Sequence, residues 1–533
     1  MNTSAEERRF SLAELAVLVL LVVVGFALRA WGVGRESLSP DDAWAVATAL
    51  MEPSRLIQTS IESAQNPLYC LVLHYWILLT GTAEAQVRML SVLLGAITII
   101  FTARFGKKIH SPAAGIFAAA LLCFSLFQIH LDHDVRTYAL LNLLVLLSML
   151  SAWNLFTGNS LFSVFAYLFS SLLIIGSHNL GLFAIVAQNV FLVLWYGRSV
   201  IRAPFFRRWL AAQSLIAAAF MAWAGSLSSQ FASLAGGGEL SWIPTPSLQA
   251  FLLFFLQFAG ATTTCNHLVQ FERIDHSPAL LACFLLIFLA AAALIESRRI
   301  EDPASGGEAE TGLFSRLAGA RFEWSLRRLD IHAFLFCWMF VPLLGALAVS
   351  QFSLHIFVPK PLGFASIPLF IWAGIGLTHL RNAVVRYSIL MTIIILSLLS
   401  FEQYHSMNTE CQWREAAAFI EENSAPGDLV LLDIWYSHWA LDQYLRRKPL
   451  VKQPFPFLDG MITEESLARL KAVFTGHKSV WLVLSHSLDF DEFSVQLLRT
   501  MLRPQLEQRW FGIKAFKFAI PTRGPVAGSS GRE

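Results

Sequence analysis

Apolar stretches about 20 residues long recur along this chain, and a stretch of that length is what a helix needs to cross a bilayer. Backbone polar groups find no water in hydrocarbon, so such segments fold as helices. Counting apolar windows in the 533 residues gives about thirteen candidates. The composition agrees: 56% of residues are apolar and 14% charged, where soluble domains carry roughly a quarter charged residues. The chain therefore reads as a polytopic α-helical membrane protein. A net charge of +2 without a clustered basic face argues against a nucleic-acid partner. The cysteines Cys70, Cys123, Cys265, Cys283, Cys337 and Cys411 lack metal-type or redox-type spacing and read as single thiols.

The N-terminal apolar run from Leu12 to Trp31 is long enough to span and is followed by no small-residue cleavage site. It reads as a retained first helix with Arg8 and Arg9 in the cytoplasm. The positive-inside rule then sorts the remaining candidates. If the short stretch 67–81 crossed, RFGKK at 104–108 would face outward; laid on the outer surface, it leaves that cluster inside with Arg198, Arg202, Arg207, Arg208, Arg381 and Arg386. Treating 248–264 in the same way keeps Arg298, Arg299, Arg316, Arg321, Arg327 and Arg328 inside.

The expected crossings, about eleven to thirteen in all, lie near 11–31, 85–104, 112–130, 137–156, 160–177, 179–197, 208–228, 278–296, 331–350, 360–380 and 385–402. Either odd count places the N-terminus in the cytoplasm and the C-terminus outside. Residues 1–405 form the expected membrane region, with a first outer loop at 32–84. Residues 406–520 read as a small extracytoplasmic α/β domain, with helices at WREAAAFIEEN, HWALDQYLRR and 463–475 and strands at LVLLDIW and 479–485. EDPASGGEAETG at 301–312 reads as a flexible cytoplasmic loop, and 521–533 as a disordered tail.

In this topology Asp41, Asp42, Asn66, His74, His130, Asp132, His133, Asp134, Arg136, His178, Asn179 and Lys360 all fall on outer loops or outer helix ends. Ionisable groups beside a bilayer are costly to desolvate, so a one-sided collection points to an active site. A carboxylate can take a proton from an acceptor hydroxyl, and fixed positive charge can stabilise a departing phosphate. Both needs arise in transferring a sugar from a polyprenyl-phosphate donor to a lipid, glycan or protein acceptor. Trp44 and Trp242 also fall on outer loops.

Five segments carry a family resemblance: SLSPDDAWAVA around Asp41, NPLYCLVLHYW at 66–76, HLDHDVRTYALLNLL at 130–144, SHNLGLFAIVAQN at 177–189 and FVPKPLGFASIPL at 357–369. In order and position they resemble the motifs of C-type fold glycosyltransferases such as protein mannosyltransferases and aminoarabinose transferases. The resemblance implies that fold over most of residues 11–405. It implies Asp41 as catalytic base, Asp42 as a second acid for acceptor or metal, and Asp134 as the acid of the second loop. Arg136, Tyr138 and Lys360, with His74 and His178, would bind substrate. A divalent cation on Asp41, Asp42 and Asp134 is the one cofactor it suggests. The chain departs from the pattern with Asp42 for Glu, Asn66 for His, which weakens any metal site there, and Lys360-Pro361 for Arg-Tyr.

Plainer roles stand beside these. Ser39, Pro40 and Asp41 suit the start of a helix; Asp132 and Asp134 with Arg136 could form a structural ion-pair cluster; the histidines could be satisfied packing groups; and Lys360 could snorkel. A transporter or flippase for a lipid-linked glycan is the rival function. It calls for ionisable groups near the midplane and commonly an internal repeat, and neither is apparent.

Overall fold

The computed structural model describes residues 10–158, 160–235, 245–260, 277–294, 296–299, 322–325, 329–352, 355–406, 410–445, 447–455, 464–485 and 493–521. Trp242, Cys265, the segment 301–312 and the tail from 522 onward lie outside the described residues.

Helix α1 (Leu12–Ala30) leads into three short helices, α2 (Pro40–Ala49), α3 (Pro53–Glu62) and α4 (Leu68–Thr80), which occupy the segment expected as the first outer loop. There follow α5 (Glu84–Ile109), α6 (Pro112–Cys123), α7 (Leu126–His133), α8 (Tyr138–Gly158), α9 (Leu161–Ser177), α10 (Leu182–Tyr196), α11 (Phe206–Ala235), α12 (Leu248–Phe258), α13 (Ser277–Leu294), α14 (Leu329–Phe352), α15 (Ile367–His379) and α16 (Ala383–Ser406). Among the described residues, eight helices are long and apolar enough to cross a membrane, or nine if the bent pair α6 and α7 is one span. The chain is a multi-pass membrane protein. The expected crossings at 160–177 and 208–228 are α9 and α11, of 17 and 30 residues. Helix α4 has 13 residues, which at 1.5 Å per residue falls short of a hydrocarbon core roughly 30 Å thick.

The segment expected as one crossing at 112–130 is two helices meeting at 59°. Ser125 explains the break: its side chain accepts from the Gln128 N–H and so starts a new helix, a role that competes with continuing the old one. The bundle has a clear centre. Burial is 83% over the apolar window of α8 and 94% over the span Lys360–His379, but 17% over α1 and 22% over α16. The first two are therefore enclosed by protein, while the apolar faces of the last two are left for lipid.

Helix α5 runs from one end of the bundle to the other. At one, Lys107 Nζ sits 4.7 Å from the Phe10 ring centroid and the His110 and His379 rings lie 5.6 Å apart. At the other, Glu84 at the start of the same helix α5 pairs with Arg414 of the C-terminal region at 2.8 Å.

A short antiparallel pair, β1 (Glu296–Arg299) and β2 (Phe322–Ser325), lies between α13 and α14. The C-terminal region is an α/β sandwich: α17 (Trp413–Glu422), β3 (Leu429–Leu432), α18 (His438–Tyr444), β4 (Val451–Pro454), α19 (Glu464–Val473), β5 (Ser479–Ser485), α20 (Phe493–Met501), β6 (Arg503–Trp510) and β7 (Ile513–Ala519). The strand order is β4-β3-β5-β7-β6, with β3 parallel to both β4 and β5 and β7 antiparallel to β5 and β6. Val430, Leu432, Trp481 and Val483 face the cluster that includes Trp413, Ile420 and the bundle core, while Leu429, Leu431, Val480 and Leu482 pack with Leu470, Val495 and Leu498 on the opposite side. A sheet covered on both faces suits the unbroken apolar runs of β3 and β5. Of the described cysteines, Cys70, Cys123, Cys283, Cys337 and Cys411 are buried single thiols.

Candidate functional site

The start of α2 sets the site. The Ser39 hydroxyl accepts the Asp42 N–H at 3.1 Å and Pro40 opens the helix. Asp41 and Asp42 thus occupy successive positions of a first turn, and successive residues of a helix point about 100° apart. Their surroundings differ accordingly. The Asp41 side chain is 52% exposed, whereas Asp42 is buried.

Asp42 Oδ1 accepts the Val135 N–H at 2.9 Å and Oδ2 lies 3.5 Å from Arg88 Nη2. Arg88 spends its other bonds on the carbonyls of Val33, Glu36 and Ser37, at 3.0, 2.7 and 2.8 Å. One guanidinium therefore ties the approach to α2, Asp42 and α5 together. Arg88 was not singled out from the sequence, although a charge inside an apolar span is a signal for it.

The segment between α7 and α8 carries the second acid. Asp134 is buried and its Oδ2 lies 2.9 Å from Lys360 Nζ, while its carbonyl accepts from Ser91 Oγ at 2.9 Å. Burial pushes the Asp42 carboxyl up, and Arg88 offsets this only in part. Burial also acts to raise Asp134, but the Lys360 ammonium, together with His130 and Arg88, outweighs it and holds that carboxyl below the usual range. Two buried acids on facing segments are thus pulled in opposite directions.

Arg136 stands beside Asp41, with Nη1 3.8 Å from Asp41 Oδ1 and the guanidinium 5.8 Å from the Trp44 ring centroid. Among the described residues its hydrogen bond is a long one, 3.4 Å to Gln65 Oε1. Asp41, Asp134, Arg136 and Lys360 all act electrostatically on the Tyr138 hydroxyl, so five of the expected site residues converge. The Tyr138 and His178 rings lie 6.5 Å apart. His178 Nδ1 accepts the Leu180 N–H at 3.1 Å. Burial, reinforced by the Arg136 charge, drops this histidine to about 4, so it is neutral at pH 7. His74 holds the Ala49 carbonyl through Nδ1 at 2.7 Å and so links α4 to the end of α2. Asn66 bonds the Ile175 carbonyl at 2.6 Å and Asn179 Oδ1 at 3.0 Å.

The alternative of one ion-pair cluster joining Asp132, Asp134 and Arg136 is not what forms. Asp132 pairs with Arg29 at 2.6 Å, fully buried, in a spot where Gly95 leaves the room: a Cβ there would lie 2.1 Å from Asp132 Oδ2. His133 Nε2 contacts the Arg29 carbonyl at 2.7 Å, and His130 Nδ1 contacts the Tyr404 hydroxyl at 3.1 Å. These groups brace α1, α7 and α16. A narrow polar cleft lined by Asp42, Arg88, His130, His133, Asp134 and Tyr404 lies between this brace and the acids.

The α/β region touches Asp41 and the approach to α2. The Tyr436 hydroxyl donates to Asp41 Oδ1 at 2.6 Å. The Leu38 N–H donates to the Tyr444 hydroxyl at 2.7 Å, and the Arg414 N–H to Ser37 Oγ at 3.1 Å. Nothing in the local sequence around Tyr436 marks it, because its partner lies 395 positions away.

A metal would need ligands that converge. Among the described residues no three His, Cys, Asp or Glu side chains gather to hold an ion. Asp41, Asp42 and Asp134 instead face Arg136, Arg88 and Lys360 respectively. Each acid of the set suggested by the sequence is thus matched to its own cation, and that ligand set is not assembled among the described residues.

No protein-family model and no curated protein matches the chain. Solved structures do. ArnT from Cupriavidus metallidurans, bound to undecaprenyl phosphate, is similar at 12% identity over 94% of this chain and 97% of that one, with a TM-score of 0.56. The oligosaccharyltransferase AglB of Archaeoglobus fulgidus, in complex with an inhibitory peptide and a dolichol-phosphate, is similar at 13% identity over 97% and 75%, with a TM-score of 0.53. The Archaeoglobus fulgidus enzyme in complex with Zn and sulfate is similar at 11% identity over 95% and 74%, with a TM-score of 0.51. The chain has the C-type glycosyltransferase fold.

Proposed function

We propose that this protein is an integral membrane glycosyltransferase that moves a sugar from a polyprenyl-phosphate donor to a lipid, glycan or protein acceptor at the outer face of the membrane, with inversion. The observation that carries the reading is the pairing of Asp41 with Arg136. An acid open to water stands 3.8 Å from a guanidinium whose side chain is only 14% exposed. Most of that guanidinium's donors are left for an incoming anion. The lipid phosphates bound by ArnT and AglB are anions of the kind such a site would take.

Asp41 accepts the proton of the acceptor hydroxyl or amine. The acceptor's lone pair attacks the anomeric carbon from the face opposite the phosphate. The bond from that carbon to the phosphate oxygen breaks, and polyprenyl phosphate leaves with its electrons. Arg136 offers a planar fork of donors to the leaving phosphate. Lys360, already ion-paired with Asp134 and 36% exposed, adds a second positive charge at the rim. Fixed charge in a water-poor site stabilises such a leaving group without reorganising. Asp42, bonded to the Val135 N–H, aligns the Asp134–Arg136 segment with α2, and Tyr138 and His178 form one wall. By the positive-inside rule the end of the bundle bearing Lys107 and Arg386 lies in the cytoplasm. The α/β region then faces the outer aqueous compartment, which in a bacterial cell is the periplasm.

The test compares purified wild type with Asp41→Asn in nanodiscs, following release of polyprenyl phosphate from labelled lipid-linked sugars with membrane extract as acceptor source. Release by the wild type alone supports the assignment. Equal release by both removes Asp41 from the chemistry, and no release by either across a donor panel overturns the transferase reading in favour of transport.

A further inference from the structure

The geometry points to Tyr436 as a positioning residue for the base, which makes the C-terminal α/β region a working part of the catalytic centre rather than an appendage. This inference rests on the reading of Asp41 given above.

Asp41 is half open to water, and an exposed carboxylate at a helix start rotates freely unless something fixes it. The groups facing it with charge or an ionisable proton are Arg136 and Tyr138 from the segment after α7 and Tyr436 from the α/β region. Of these, Tyr436 makes the short contact, 2.6 Å from its hydroxyl to Oδ1, against 3.8 Å for Arg136. A hydroxyl bonded to a carboxylate at that distance is charge-assisted and directional. With Oδ1 held, Oδ2 is the oxygen left to receive the acceptor's proton.

Tyr436 is itself firmly placed. It lies in the turn Trp435–Ser437 just beyond the carboxyl end of β3. Ser437 Oγ bonds Ser485 Oγ at 2.6 Å, and Asp433 Oδ1 accepts the Ser485 N–H at 3.1 Å. The turn is thereby locked to the carboxyl ends of the parallel strands β3 and β5, where open α/β sheets place their functional groups. Helix α18, which follows the turn, packs on α2. The Arg414–Glu84 ion pair, 2.8 Å long, holds the region against the start of α5.

The experiment measures steady-state transfer by Tyr436→Phe, Tyr444→Phe and Asp41→Asn in the full-length chain. Tyr444→Phe removes a hydroxyl from the same interface without touching Asp41. Tyr436→Phe is expected to lower kcat by about ten- to a hundredfold, the loss that follows when a charged group forfeits a hydrogen bond, with the donor KM unchanged. Tyr444→Phe is expected to lower thermal stability while keeping kcat within about twofold. Wild-type kcat in Tyr436→Phe, with Asp41→Asn inactive, overturns the role of Tyr436 alone. An equal fall in kcat in both tyrosine variants also overturns it, by reducing the contact to interface stability. An active Asp41→Asn overturns the underlying reading and this inference together.

Discussion

Lys360 Nζ lies 2.9 Å from Asp134 Oδ2, joining the segment that leads into α15 to the turn that leads into α8. These are the two most enclosed spans of the bundle. One ion pair therefore ties the rim of the site to its rigid centre.

Removing that cation has a defined cost. Lys360→Met leaves the buried Asp134 carboxylate without its partner and is expected to destabilise by about 1–3 kcal/mol, the loss for a buried pair discounted for the partial exposure of the lysine. The pH dependence has a sign. Asp134 is held below the usual carboxylate range, so the pair stabilises the fold above the unfolded carboxyl value of about 3.9 and ceases to as pH falls through the lower folded value. Thermal unfolding in detergent should show the gap between wild type and Lys360→Met at pH 7 shrinking below about pH 4.

Arg29 and Asp132 should behave as a buried unit. Either single replacement, Arg29→Met or Asp132→Leu, is expected to cost about 3–5 kcal/mol by stranding the other charge, and the double replacement less than either. A double-mutant cycle read by unfolding in detergent measures this. Additive losses would show that the pair is not coupled.

The adjacent acids should separate cleanly in kinetics. Asp42→Asn keeps an oxygen for the Val135 N–H and should hold transfer within about tenfold of wild type. Asp41→Asn should lose about 10²–10⁴-fold. The ratio of their kcat values under saturating donor decides it, and similar losses would give Asp42 a share of the proton transfer.

Arg136 should matter through its fork as well as its charge. Arg136→Ala is expected to reduce the rate of polyprenyl-phosphate release by about 10²–10³-fold, and Arg136→Lys to recover only part of that loss. Full recovery by lysine would mean that a point charge suffices.

Apolar run length and loop charge make the bundle legible in the sequence. The expected crossings are helical, and α4 and the described part of α12 are short. The break at Ser125 escaped notice because hydropathy does not register a serine that caps. In the α/β region, β3 and β5 were readable as apolar runs. β4, with Val451 and Pro454 around Lys452 and Gln453, and β6, rich in Arg, Gln and Glu, have no apolar run to announce them. Both are edge strands, defined by a neighbour instead of by burial. The acids of the site were legible as charges in apolar surroundings. Their individual partners were not, since Arg88, Lys360 and Tyr436 reach them across long stretches of chain.

The outermost strand β6 has a consequence for crowding. From Arg503 to Arg509 every residue is exposed, Pro504 lacks an N–H to offer, and Arg499 and Arg509 both reach Glu507. Such an edge gives an approaching sheet little to pair with. Copies of this protein in one bilayer are confined to two dimensions and collide often. At such an encounter β6 offers no edge on which a neighbouring α/β region could extend its sheet.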